Sequence, residues 1–483
     1  MNYVSVYFYV IVLLCVCLYY LLPEKNRWIS LLIGNVVFYA SAAKEACLFF
    51  LISSICSWLL GHIIERIRRS DSRNIVKKIG LWGTIVIIII PLFVVKYLSV
   101  TINLFTDRTI NGFIVPLGIS FYTLRMISYI VDIYWGKYKP EYNFWKYLMF
   151  ISFFPLIIQG PIARYDQMKT QLFAGNKFEE KKFVKGLQLI IWGFFLKMMI
   201  ADKSAVIVNT VFENHEMYVG WYVVLAGILY SIQLYTDFMA CVTISQGVSS
   251  LFGIEIMDNF MHPYMATSVK DFWRRWHISL SSWLRDYVYI PLGGNRKGII
   301  GKYINLMITF IISGIWHGAG YKYILWGMMH GVYQIIGDIT LQLKNKIYCR
   351  LGIDKEHYIR RWIGRTVTFS CVMLAWIIFR ADSLSIGIQM IRNIFAVNNI
   401  WILFDWSILN LGLSGKQLIV LLISIATLIK TSMMQEKICV RDYILSMNIV
   451  CRWGLYIGSI LVIVTFGTYG YGFNALDFIY GGF

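Results

Sequence analysis

The sequence predicts an all-α, polytopic integral membrane protein, and three observations lead there. Apolar residues make up 58% of the 483 residues and charged residues only 15%, where a soluble domain carries about 25% charged. The mean hydropathy is +0.62, and the apolar residues gather in runs near the roughly 20 residues that a bilayer-spanning helix needs. The 45 Lys and Arg, against 26 Asp and Glu, fall between those runs, where the positive-inside rule puts them. That distribution argues for a membrane and against nucleic acid as the partner of the excess charge.

The elements follow in chain order. The first run, near 3–22, is aromatic-rich and lacks a basic n-region and a small-residue cleavage site, so it reads as a retained span. Runs near 28–42, 46–64 and 79–100 come next. The loops between them carry first Lys25 and Arg27, then Lys44 beside Glu45, then "ERIRRSDSRNIVKK" (Glu65 to Lys78) with six cations and two anions. The first and third loops are therefore expected on the cytoplasmic side and the N-terminus outside. A polybasic stretch of this kind also attracts anionic membrane lipid, although setting topology is the commoner role.

A run near 112–134 contains "PLGISFYTLRMISYIVD" with Arg125 inside it; Arg125, and later Lys197, are expected to snorkel to the interface. From Phe144 to Arg164, Pro155, Gly160 and Pro161 interrupt an apolar segment. Backbone groups freed there have no partner in lipid, so the segment is expected to be packed in protein or re-entrant. Runs near 186–201 and 218–236 follow, the second closed by Asp237 in "QLYTDF". Asp237 reads as a cap on that span, or as a residue that orients a histidine or lines a cavity. After the long central stretch come runs near 303–316, 323–340, 362–380, 417–430 and 449–466; of these twelve apolar runs, several short or interrupted, roughly eleven are expected to be transmembrane helices. No linker divides the chain, so residues 1–483 read as one membrane domain. The nine cysteines are scattered, with neither a disulfide framework nor zinc spacing.

Two places carry polar chemistry. "DFWRRWHISLSSWLRDYVYIPLGGNR" (Asp271 to Arg296) reads as an amphipathic helix: Trp273, Trp276, His277, Leu280, Trp283, Leu284 and Tyr287 recur at helical spacing on one side, and Arg274, Ser281 and Arg285 lie on another. Such a helix favours the interface or a polar cavity. An interfacial anchor would explain its tryptophans and arginines, but it would not require His277. The second place is the 303–336 stretch. As one helix it would be about 51 Å long at about 1.5 Å per residue, well beyond a hydrocarbon core of about 30 Å, so it has to break. The glycines between Gly314 and Gly320 mark the break and put His317 on irregular backbone.

Intramembrane ionisable residues are functional candidates, and imidazole suits acid/base work near neutral pH. On residue type alone two other roles stay open for His317: a helix-break histidine bonded to a freed carbonyl, or half of a metal site with His277. His330 reads as a packed polar residue; His62, His215, His262 and His357 read as loop or interface residues. The chain has no phosphate loop, nucleophile elbow, H-E-x-x-H zinc helix or dinucleotide fingerprint.

These segments, together with "WHGAG", "GISFYTLRMISYIVDIY", "FFPLIIQGPIAR", "GLQLIIWGFFLKMMIAD", "YTDF", "WIIFRADS" and the closing "DFIYGGF", form an ordered series from about Gly112 onward. The series resembles the membrane-bound O-acyltransferase (MBOAT) superfamily, in particular its bacterial alginate O-acetyltransferase (AlgI-like) branch, with the teichoic acid D-alanyl transferases as cousins. The resemblance implies that His317 is the active-site histidine and His277 the second motif histidine. It makes Asp237, Arg274, Arg275, Trp276, Arg285 and Trp316 candidates for substrate or donor binding. It implies transfer of an acyl group, usually acetyl, from a cytoplasmic thioester (acetyl-CoA or an acyl carrier protein) towards hydroxyls of a cell-surface polysaccharide outside, with no bound cofactor or metal. The transfer is direct or handed to an extracellular-facing SGNH-type acyltransferase. The sequence reads "YTDFMACVT", with Thr243 where many alginate-type members carry a second aspartate, which bears on the substrate. D-alanyl transfer to teichoic acid is the alternative within the family; a secondary transporter or flippase is the alternative outside it.

Overall fold

The computed structural model describes residues 3–98, 116–354 and 357–469. The ends of two expected spans, at 99–100 and 112–115, and the closing "DFIYGGF" lie outside the described residues. The regular elements among the described residues are all helices, and eight of these helices are long and apolar enough to cross a membrane. Three other expected runs form helices of 16 residues each, Val6–Leu21, Arg27–Ala42 and Ile119–Tyr134. The described residues divide into two compact units, one built from the residues up to Ile190 with Cys241–Met257, the other from Ile191–Ala240 with the described residues from Asp258 onward.

In the first unit the proline-broken segment is the instructive part. The helix Phe144–Ser152 stops at Phe153, and a single turn, Phe154–Ile157, follows it. The backbone groups released by the break are met by three side chains from elsewhere. Arg125 donates to the Ile151 and Leu156 carbonyls, at 3.3 and 2.7 Å. Asn35 donates to the Met149 carbonyl at 3.2 Å and accepts from the Phe154 N–H at 2.8 Å. The Tyr3 hydroxyl lies 3.0 and 2.9 Å from the carbonyls of Phe154 and Pro155. The expectation of a segment packed in protein is met: Tyr147 to Ala163 is buried throughout. Arg125 does not snorkel. It is 1% exposed, its guanidinium held inside by the Ile151 and Leu156 carbonyls.

The second unit contains a tight helical hairpin, Gly298–His317 and Tyr321–Ile339. Its packing depends on glycine. A Cβ on Gly314 would come within 2.2 Å of the Tyr323 carbonyl oxygen, and one on Gly327 within 2.3 Å of the Phe310 carbonyl oxygen. Small residues let helix backbones approach this closely, which is how membrane helices gain packing without a hydrophobic driving force between them. Lys197, the other cation expected to snorkel, is buried instead. Its Nζ lies 2.7 Å from Asp237 Oδ1 and 3.0 Å from Asp202 Oδ1, a cluster in which the carboxylates repay the lysine's desolvation. Asp237 consequently does not cap a span; it sits inside the 31-residue helix Trp221–Leu251.

Candidate active site

The stretch expected as one amphipathic helix is two. Val269–Arg275 is capped by the Ser268 hydroxyl, and Ile278–Leu284 begins two residues beyond Trp276. Between them His277 adopts φ 44° and ψ 54°, the left-handed region, which costs a non-glycine residue of order 1–3 kcal/mol. The surroundings hold it there. The Asn259 carbonyl accepts the Ile278 N–H at 2.9 Å, the Arg275 carbonyl accepts the Met261 N–H at 2.9 Å, and Asn259 Oδ1 accepts the Ser279 N–H at 2.9 Å. The periodicity nevertheless separates the two faces correctly. Trp273, Trp276, His277, Leu280, Trp283 and Leu284 are buried, while Arg274 and Arg285 are exposed.

His317 ends its helix. The break expected between Gly314 and Gly320 is confined to Gly318 to Gly320, so His317 occupies the last helical position rather than irregular backbone. A Cβ on Gly318 would meet the Tyr323 ring at 2.1 Å, which shows how closely the chain turns there. The His317 imidazole is 2% exposed and walled by aromatic rings: Trp316 at 4.8 Å, Trp326 at 4.9 Å and Phe379 at 5.4 Å between centroids. Trp316 also reaches His277, at 6.3 Å. The two histidines, 40 residues apart in sequence, thus share one indole wall. Phe238 closes the other face of His277 edge-on at 4.7 Å.

His330, read from the sequence as a packed polar residue, is one, and it belongs to the same aromatic cluster. It is fully buried, accepts the Trp273 indole N–H at its Nδ1 at 3.2 Å, and packs 5.0 Å from Trp326. Trp326 therefore touches His317 and His330 and stacks on Trp376 at 5.6 Å. The "GMMHG" spacing of Gly327, His330 and Gly331 was the available sign that this residue lies at a close helix contact.

A cavity of about 520 Å³ adjoins these elements. Arg274, Arg285, Lys270 and Lys302 line it, with Asp338 as an acidic member. Lys302 pairs with Asp338, and the Tyr303 hydroxyl donates to that same carboxylate at 3.1 Å. Arg285 pairs with Asp286 at 2.7 Å. The lining reaches Ile278, beside His277, and Ser313, one helical turn before His317, but includes neither imidazole. Of the expected binding residues, then, the cavity gathers Arg274 and Arg285. It does not gather Arg275, which pairs with Asp271 at 3.0 Å, nor Trp276, which stacks on Phe272 at 5.4 Å, nor Asp237, held by Lys197. Trp316 joins the histidine wall instead. Among the described residues no group of three His, Cys, Asp or Glu is placed to hold a metal ion.

The profile of the membrane-bound O-acyltransferase family matches residues 140–374, a range that contains both histidines. The chain is 32% identical over 425 residues to the probable alginate O-acetylase AlgI of Pseudomonas syringae pv. tomato, covering 85% of this chain and 77% of that protein. It is 32% identical over 313 residues to the peptidoglycan O-acetyltransferase of Helicobacter pylori, covering 59% and 58%. It is 32% identical over 310 residues to the teichoic acid D-alanyltransferase of Bacillus subtilis, covering 62% and 76%. An all-helical, multi-pass chain with two buried imidazoles on a common indole wall, matched at this identity over most of its length, belongs to the membrane-bound O-acyltransferase family and is an O-acyltransferase.

Proposed function

We propose that the chain moves an acetyl group from a thioester on the cytoplasmic side of a bacterial plasma membrane towards hydroxyls of an exported cell-surface polysaccharide. His317 acts as general base. It takes the proton of the attacking hydroxyl as oxygen adds to the thioester carbonyl, and it returns that proton to the sulfur as the C–S bond breaks. A base so placed is worth about 10²- to 10⁴-fold in rate. His277 assists across the Trp316 wall. The observation that carries this reading is His317 itself: an imidazole closing a helix at a glycine break, buried in an aromatic chamber in a chain of this family.

The donor reading rests on charge. Acetyl-CoA and acyl carrier proteins are both anionic, and Lys270, Arg274, Arg285 and Lys302 line the cavity beside the histidine-bearing elements; complementary charge draws such ligands in. The cation-rich loop after the helix Cys47–Arg69 supports the assignment of its side to the cytoplasm and of the N-terminus to the outside. The names of the relatives support a polymer as acceptor, and an SGNH-type acyltransferase outside would receive the group where transfer is relayed. The test uses purified protein in nanodiscs with a radiolabelled acetyl thioester. His317→Ala is expected to lower transfer about 10²- to 10⁴-fold with an unchanged thermal midpoint. Full activity in a folded His317→Ala protein removes the residue from the mechanism, and D-alanyl transfer in place of acetyl transfer moves the chain to the other donor class.

A further inference from the structure

We infer that Asn259 is a positioning residue that locks His277 in the Nδ1–H tautomer, so that His277 serves the acyl transfer as a neutral hydrogen-bond acceptor at Nε2 and not as a second proton-transferring base. The inference rests on the acyltransferase reading above and deepens it.

The Ser279 backbone N–H can only donate, and it meets the Asn259 side chain at 2.9 Å; the atom it meets is therefore the amide oxygen, and the amide orientation is fixed. That same Oδ1 faces His277 Nδ1 at 3.3 Å. Oxygen has no proton to give, so Nδ1 carries one. A neutral imidazole with its proton on Nδ1 has its lone pair on Nε2, and His277 Nε2 is buried with no hydrogen-bond partner among the described residues. A buried acceptor left unmet is costly, and a reacting hydroxyl or thiol would meet it.

Neutrality follows from the neighbours. Phe238, Asn259 and Trp316 lie against the ring, and none of them titrates. Asp237, next to Phe238 in sequence, is committed to Lys197. Burial pushes the His277 pKa down to about 3, with no charged group contributing. The amide of Asn259 supports the neutral ring where a carboxylate in its place would support imidazolium. His277 thus remains a neutral acceptor.

Three measurements test this. In the wild-type protein, ¹⁵N imidazole spectra, with His277 assigned by its loss in His277→Gln, are expected to show the proton on Nδ1; a proton on Nε2 overturns the inference without touching the role of His317. His277→Gln, which keeps an acceptor oxygen, is expected to retain kcat within about tenfold of wild type, while His277→Ala loses roughly 10²-fold through misorientation of the hydroxyl. Equal losses in the two variants overturn it. In Asn259→Asp the carboxylate keeps the bond to Ser279 and raises the His277 pKa. Because the protonated ring cannot accept, kcat is expected to fall as pH drops through that raised value and to recover at alkaline pH. An acid limb unmoved from wild type in a folded Asn259→Asp protein counts against the inference. Wild-type protein without acyl transfer would sink the acyltransferase reading instead, and the spectra would still report the tautomer.

Discussion

Gly314 offers the sharpest test of how the hairpin places His317. A methyl group at this position would stand 2.2 Å from the Tyr323 carbonyl oxygen, whereas ordinary contact begins at 3.4 Å, a shortfall of about 1.2 Å. The obstacle is backbone, so no side chain can rotate away. The two helices must separate by about that distance, or the Gly298–His317 helix must shift along its partner. Overpacking of this kind costs typically about 1–3 kcal/mol, which leaves the protein folded. Three residues on, however, His317 moves relative to Trp326 and Phe379, which are fixed by other elements, and a displacement near 1 Å at reacting groups costs about 10²-fold in rate. Gly314→Ala is therefore expected to lose about 10²-fold in kcat with a thermal midpoint lowered by a few degrees. Gly337→Ala, in the same hairpin but with nothing within 4 Å of the new methyl, is the control, expected to be active and slightly stabilised through helix propensity. Both are read by thioester-dependent acyl transfer in nanodiscs and by thermal unfolding. Wild-type activity in Gly314→Ala would refute the claim that close backbone contact positions the imidazole.

Three further outcomes follow from the described contacts. Lys197→Met leaves the buried Asp202 and Asp237 carboxylates facing one another without their cation, and is expected to destabilise by about 3–5 kcal/mol, seen as a large drop in thermal midpoint; a midpoint within a degree of wild type would refute the cluster's structural role. Arg125→Leu removes the guanidinium bonds to the Ile151 and Leu156 carbonyls, and limited proteolysis is expected to show new cleavage between Phe144 and Arg164, with no new cleavage counting against the assignment. Arg274→Gln is expected to raise KM for the anionic thioester severalfold, most at low salt, while Arg275→Gln, outside the cavity and paired with Asp271, changes KM less; the reverse order would refute the placement of the donor site.

Much of this was legible in the sequence because it depends on what lipid forbids. A stretch too long to span had to break at its glycines, and prolines in an apolar segment had to be packed in protein, and both features appear where the chain demanded them. The faces of the 271–285 stretch were also readable, since buried and exposed residues keep helical spacing on either side of the break. The break itself was not readable. Histidine is no marker of the left-handed region, and what holds His277 there is Asn259, 18 residues earlier, whose role exists only once the chain is folded. The same holds for Lys197 and Asp237: each alone reads as a charge seeking water, and the cluster they form with Asp202 makes burial tolerable. Trp326 and Phe379, which complete the wall around His317, carry no signal that separates them from ordinary apolar residues.

The side chains that satisfy the proline-broken segment, Tyr3, Asn35 and Arg125, all precede it in the chain. During synthesis the donors emerge from the ribosome before the carbonyls that need them, so the segment enters a bilayer in which its receptacle has already been made. Reversing that order, for example in a circular permutant that begins at Phe144, would present bare peptide groups to hydrocarbon until the rest of the chain arrived, and membrane insertion itself would become the step most sensitive to the change.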